Sequence, residues 1–207
     1  GQYEAEGKLV EAERARRTVT KEYDLHIPVN RQRLAEGRFA GTEGQVQVTR
    51  ETYLLNLVAN LGMQGKLVEA EGALRDVLGQ IVKRSKRYHP HTGLALRRFA
   101  EIVLQQGRYR EAERLAAEAI DIFQKSGTEE LSRNLIAVRK TLGAALVGQQ
   151  LWQRAIAEFE GIADGIRKDS FLAARYPLGH IDWGLALVKA GQAQKAVTML
   201  ETLAKST

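Results

Sequence analysis

The sequence predicts an all-α fold made of repeated antiparallel helix pairs. Three observations predict it. The composition is rich in Ala, Leu, Glu, Arg and Gln with only three prolines among 207 residues, and these are residues that lose little on entering a helix. A short phrase, Gly then Ala five residues on, recurs as Gly7/Ala12, Gly65/Ala70, Gly107/Ala112 and Gly191/Ala196, with Gln150/Ala155 as a fifth copy. The spacing of these anchors is 58, 42, 43 and 41 residues, and three consecutive intervals so alike define a repeat protein.

Each helix follows from its place in the register. Residues 8–24 read as the second helix of a first pair whose first helix is largely missing. Residues 25–46 carry Pro28 and several glycines and stretch the first interval to 58, so they read as an irregular insert, with a short helix over residues 30–36. Helix pairs then follow at 47–63 with 67–86, 91–105 with 109–125, 129–148 with 152–167, and 171–189 with 193–205. Pro177 predicts a late start or a kink in the last first helix.

Packing positions recur with the anchors. Two residues after them stand Leu9, Leu67, Tyr109, Trp152 and Ala193; seven before them, Val58, Ala100, Gly143 and Gly184; eight before them, Leu57, Phe99, Leu142 and Trp183. A large residue beside a small one, once per repeat, suits two helices that cross closely. Phe99, Tyr109, Trp152, Phe159 and Trp183 are therefore expected in the core.

A small residue, a seven-residue gap, a turn Gly and an Ala five further on resemble the tetratricopeptide repeat. The best-matched stretch runs from His89 to Gly127, with an HP start and then QGRYREAE. The usual unit of that family has 34 residues; the longer unit here is similar to that of kinesin light chains and of many bacterial signalling proteins. The resemblance implies a right-handed superhelical solenoid over residues 1–207, a single array. The first residue is not Met, and the array is expected to be a fragment of a longer chain. Gln150 at the Gly position, Ala193 at a bulky one, and Arg139 and His180 at a position that is apolar in the family depart from the pattern. HEAT-type helical repeats, of similar length, are the alternative, and the short Gly-to-Ala joint favours the tetratricopeptide unit.

Several kinds of chemistry find little support. With no cysteine, disulfides, thiolate metal sites and a Cys nucleophile are excluded. His89 and His91 flank Pro90 but lack further ligands nearby, and HP fits the start of a helix, so no metal and no cofactor is expected. GAALVG, residues 143–148, has phosphate-loop glycine spacing, but Gln149 and Gln150 stand where Lys and Ser/Thr are needed. Ser85, Ser126 and Ser132 fall at predicted helix ends, where serine caps. No catalytic motif appears, and the segment is expected not to be an enzyme. No apolar run approaches the roughly 20 residues that span a bilayer. The compartment is left open by this composition, cytoplasm being favoured and periplasm compatible.

The expected role is a scaffold that binds a protein or peptide. By resemblance, inward positions of the first helices carry Leu55, Asn56, Ala59, Met63, Arg97, Arg98, Glu101, Gln105, Lys140, Ala144, Asp182 and Lys189. Of these, Asn56, Arg97, Arg98, Glu101, Lys140, Asp182 and Lys189 are the candidate contacts, and the basic centre of the groove favours an acidic segment. The net charge of +6 is compatible with that reading. The resemblance also implies a regulatory or sensor arm of a larger multidomain protein. An alternative is nucleic-acid or anionic-surface binding through the basic patch Lys83, Arg84, Lys86 and Arg87. Self-association through an exposed apolar face at residues 8–24 is a further expectation.

Overall fold

The computed structural model describes residues 8–21, 43–85, 88–129, 132–168 and 181–205. These residues are helical apart from short turns. The helices are α1 (9–21), α2 (Glu43–Met63), α3 (Leu67–Arg84), α4 (Pro90–Gln105), α5 (Tyr109–Lys125), α6 (Arg133–Gly148), α7 (Trp152–Lys168), α8 (Ile181–Lys189) and α9 (Ala193–Lys205). The predicted pairs are thus present among the described residues; of the helix predicted over 171–189, residues 181–189 are described. α2 begins at Glu43, which shortens the expected insert at its C-terminal end. The rest of that insert, Pro177 and His180 lie outside the described residues.

The chain divides into two compact units, residues 1–85 and 86–207. In the first, α2 packs on α3. α1 is tied to both through Glu13, which accepts hydrogen bonds from Lys66 Nζ (2.7 Å), Gln64 Nε2 (2.8 Å) and Arg17 Nε (2.7 Å). Arg17 also pairs with Glu69. In the second unit, the pairs α4/α5, α6/α7 and α8/α9 stack in succession. Each second helix lies against the next first helix, α5 on α6 and α7 on α8, and the first helices α4, α6 and α8 lie side by side.

The anchor residues explain why the pairs close alike. At all four turns described, two backbone hydrogen bonds recur: Gly65 N to Gly62 O with Lys66 N to Leu61 O, Gly107 N to Leu104 O with Arg108 N to Val103 O, Gln150 N to Val147 O with Leu151 N to Leu146 O, and Gly191 N to Val188 O with Gln192 N to Leu187 O. This double bond is the Schellman closure, which needs a left-handed residue at its centre. Gly65, Gly107 and Gly191 supply it with φ of 73°, 75° and 78°. Gln150 does the same with φ 63°, at a cost of about 1–2 kcal/mol relative to glycine. A sequence departure has thus kept the geometry.

Helix starts are also local. His89 caps α4 by accepting from His91 N through Nδ1 at 3.2 Å, with Pro90 in the first turn. Ser132 caps α6, its Oγ accepting from Leu135 N at 3.3 Å. Ala70, Ala112, Ala155 and Ala196 are buried, as are Phe99, Phe159 and Trp183. Two aromatic expectations need correction: Trp152 is half-buried and Tyr109 is 39% exposed. The Tyr109 ring still packs on one face, lying over Gly148, where any Cβ would run into it. Gly143 and Gly148 of GAALVG are both within α6, so this segment is a packing surface and not a loop.

The Glu13 carboxyl is held down at about 2 from an ordinary 4.5, chiefly by its bond from Lys66 and then by those from Arg17 and Gln64. A carboxyl depressed on folding stabilises above its unfolded pKa, and that contribution is lost as the pH falls through the folded one. The α1 tie is therefore expected to be complete above about pH 4.5 and lost as pH falls towards 2. Thermal melts of wild type and Glu13→Gln should differ at pH 7 and converge by pH 2; a constant difference would show that the tie does not depend on the charge.

Candidate functional site

The predicted contacts separate into groups. Asn56 belongs to the first unit, where it is exposed on α2. Leu55, expected beside it on the inward face, is buried instead and belongs to the core. Its neighbour Glu51 is also fully buried, and Arg84 meets it with two bonds, Nε to Oε1 at 3.1 Å and Nη2 to Oε2 at 2.7 Å. Arg84 is thus committed to an ion pair between α2 and α3. Within the basic patch, Lys83 is exposed, while Lys86 and Arg87 lie outside the described residues.

The second unit carries Arg97, Arg98 and Glu101 on α4 and Lys140 on α6, which packs beside it. Glu101 is shared: one oxygen takes Arg97 Nη1 and the other takes Arg98 Nη1 at 2.9 Å. Arg97 is only 7% exposed, which places more of it in the helix interface than a groove position implies. The Nε atoms of Arg97 and Arg98 are buried without acceptors among the described residues. Burial pushes the Arg97 pKa down, Glu101 pushes it back up, and Arg98 and Arg133 lower it further. Arg133, the first residue of α6, thus belongs to the cluster although the sequence reading passed over it. A cation there opposes the helix dipole, and that mismatch was its available signal.

Lys140 occupies the same repeat position as Arg97, ten residues before the anchor, one pair further on. It is half-buried, and no acceptor meets its ammonium among the described residues. Burial pushes its pKa down. Two cations thus share the Glu101 carboxylate, and Arg133 acts on one of them. Asp182 is half-buried on α8 and Lys189 exposed at its end; Gln105 is exposed and Ala144 half-buried. Arg139, at the position apolar in the family, is accommodated by Glu158 of α7 at 3.4 Å.

A concavity of about 620 Å³ opens among α7, α8 and α9 over Trp183, Leu187 and Met199. Its rim carries Glu160, Asp164, Arg167 and Lys195, so unlike the α4–α6 cluster it selects no sign of charge.

Stacked antiparallel helix pairs with Schellman turns at a 42-residue period define the class: a helical-repeat protein of the tetratricopeptide type. Residues 49–125, which carry α2 to α5, match the tetratricopeptide repeat family model. No curated protein matches the chain. Among solved structures, it is similar to a Podosopora anserina protein described as a kinesin light chain with nearly identical TPR-like repeats, at 18% identity and TM-score 0.60, over 96% of this chain and 94% of that one. A point variant of that protein aligns at 17% identity and TM-score 0.64, over 99% and 89%. BtubC (BKLC) from P. vanneervenii aligns at 15% identity and TM-score 0.64, over 97% and 88%. At such identities the likeness concerns the fold. Tetratricopeptide repeats generally mediate protein–protein interactions and act as non-catalytic scaffolds. Among the described residues, no helix is long and apolar enough to cross a membrane.

Proposed function

We propose that the chain is a non-catalytic scaffold whose first-helix face on α4 and α6 receives an acidic segment of a partner protein. One observation carries this reading: Arg97 and Arg98 share a single carboxylate, Glu101, while Arg133 adds its charge to Arg97 and Lys140 stands at the equivalent position of the next pair. A carboxylate brought to Lys140 would give a desolvated ammonium the partner it lacks among the described residues, and charge-assisted bonds are the stronger kind. Half-buried cations also select against basic partners, because like charge there is repelled in a medium that screens weakly.

Isothermal titration with acidic peptides tests the reading. Wild type is expected to bind, and the Arg97→Ala/Arg98→Ala/Lys140→Ala variant to lose at least about tenfold in affinity, roughly 1.4 kcal/mol. Truncating the buried Arg97 also disturbs packing, so Arg98→Ala/Lys140→Ala, with circular dichroism unchanged, is the cleaner arm. Equal binding by wild type and this double variant removes the face from consideration.

A further inference from the structure

Two junctions between successive second helices are fastened by a polar staple with a fixed place in the register. The acceptor is a glutamate six residues after one anchor, and a donor is the glutamine one residue before the next. In the first unit Glu13 of α1 takes Gln64 Nε2 at 2.8 Å, and Lys66 adds a second bond. In the second unit Glu113 of α5 takes Gln149 Nε2 at 2.7 Å, and Arg154 of α7 adds a second bond. At the seam between α7 and α9 the same two places hold Ile156 and Ala190, so this staple cannot form. On that seam the concavity of about 620 Å³ opens. Its floor is apolar and buried: Trp183 and Leu187 of α8, and Met199 of α9. Trp183 is only 6% exposed, and its indole Nε1 is buried with no acceptor among the described residues. The cavity is not where a further helix pair would seat. Trp183 lands on Phe159 nine residues after the anchor, whereas Gln194, Lys195 and Thr198 in the cavity stand three, four and seven after theirs.

We infer that the α7–α9 seam binds a small uncharged molecule, mainly apolar, that carries a carbonyl-type oxygen. The apolar body rests on Trp183, Leu187 and Met199, and the oxygen accepts from Trp183 Nε1. Three observations select that class. The volume lies within the roughly 300–1,000 Å³ of sites that take small molecules. The buried indole is a donor with no accepting atom, so it calls for an oxygen and gains nothing from an ammonium. The rim sets Glu160 and Asp164 against Arg167 and Lys195, and Arg167 is already paired with Asp164. A carboxylate brought to the floor would give up its water for one neutral donor, which disfavours it against a ketone or amide of the same shape. The site uses no residue of α4 or α6, so it stands or falls apart from the acidic-segment face.

Benzophenone, an uncharged aromatic ketone, and para-benzoylbenzoate, the same body with a carboxylate, are the probes. The chain has two tryptophans, Trp152 and Trp183, so its proton–nitrogen correlation spectrum holds two indole signals, assigned with Trp152→Phe. Benzophenone at up to about 0.5 mM is expected to bind saturably and to move the Trp183 indole proton downfield while that of Trp152 stays. The benzoate is expected to bind at least about tenfold more weakly. Thr198→Phe and Gln194→Phe, both at exposed positions of α9 in the cavity, fill it. Each is expected to weaken benzophenone at least about tenfold with the helical signal unchanged. Irradiation of the bound ketone should label the peptide that carries Met199 and not the one that carries the exposed Met63. A Trp183 signal that does not move, an affinity untouched by both filling variants, or a benzoate that binds as tightly as the ketone would each overturn the proposal.

Discussion

Gly143→Val is expected to destabilise the second unit by about 3 kcal/mol, read as an earlier urea midpoint at unchanged m value. A Cβ at Gly143 would fall 2.6 Å from Cζ of Phe159 and 2.9 Å from both Cε atoms. That ring cannot step aside, because it is 3% exposed and stacked on Trp183. The added atoms must therefore spread α6 from α7 or force Phe159 off its rotamer. Gly161→Ala is the control. A Cβ there meets nothing within 4 Å, and losing an exposed helical glycine should stabilise by about 1 kcal/mol. If both variants shift the midpoint alike, ring-on-glycine packing is not what holds the pair.

Arg84→Met carries the second large effect. It leaves Glu51, fully buried between α2 and α3, without its two-pronged counter-charge, and should destabilise the first unit by about 3 kcal/mol. Glu51→Leu combined with Arg84→Met removes both charges and should recover most of that loss, because the desolvation cost of the carboxylate goes with it. Thermal denaturation of the two variants decides between this asymmetry and a simple sum of contacts. An equal loss in single and double variants would mean that packing of the arginine stem, and not charge, is what matters.

The fold was legible because its signals are local and repeated. A glycine, an alanine and a bulky neighbour at fixed offsets define a turn and its packing wherever they occur, and α5 and α9 begin and end where the register put them. Gln150 shows the limit of reading residue types: the geometry of the turn was kept and the glycine was not. The candidate site was legible only in part. The offsets that point towards a face named Arg97, Arg98 and Lys140, but they could not tell that Arg97 would sink into the interface while Leu55 joined the core. Arg84 read as a surface cation because its partner lies 33 residues away on another helix. Pairing of charges across helices is a tertiary fact, and a run such as KRSKR in the sequence holds no trace of it.

The glycine–ring contacts bear on how a chain of look-alike parts avoids assembling itself wrongly. Repeats so similar invite a helix to fold back on the wrong mate, and such exchange is a common failure of repeat proteins. Each hairpin of the second unit is keyed at its own level or with its own residue. α4/α5 is keyed by Gly93 under Phe123, fourteen residues before its turn; α6/α7 by Gly143 under Phe159, seven before; α8/α9 by Gly184 under the softer Met199. A trespassing Phe159 would find Ala100 where it needs Gly143, and a trespassing Phe123 would find Ile136 where it needs Gly93. The small differences that blur the repeat in the sequence thus act as addresses, telling each helix which neighbour is its own.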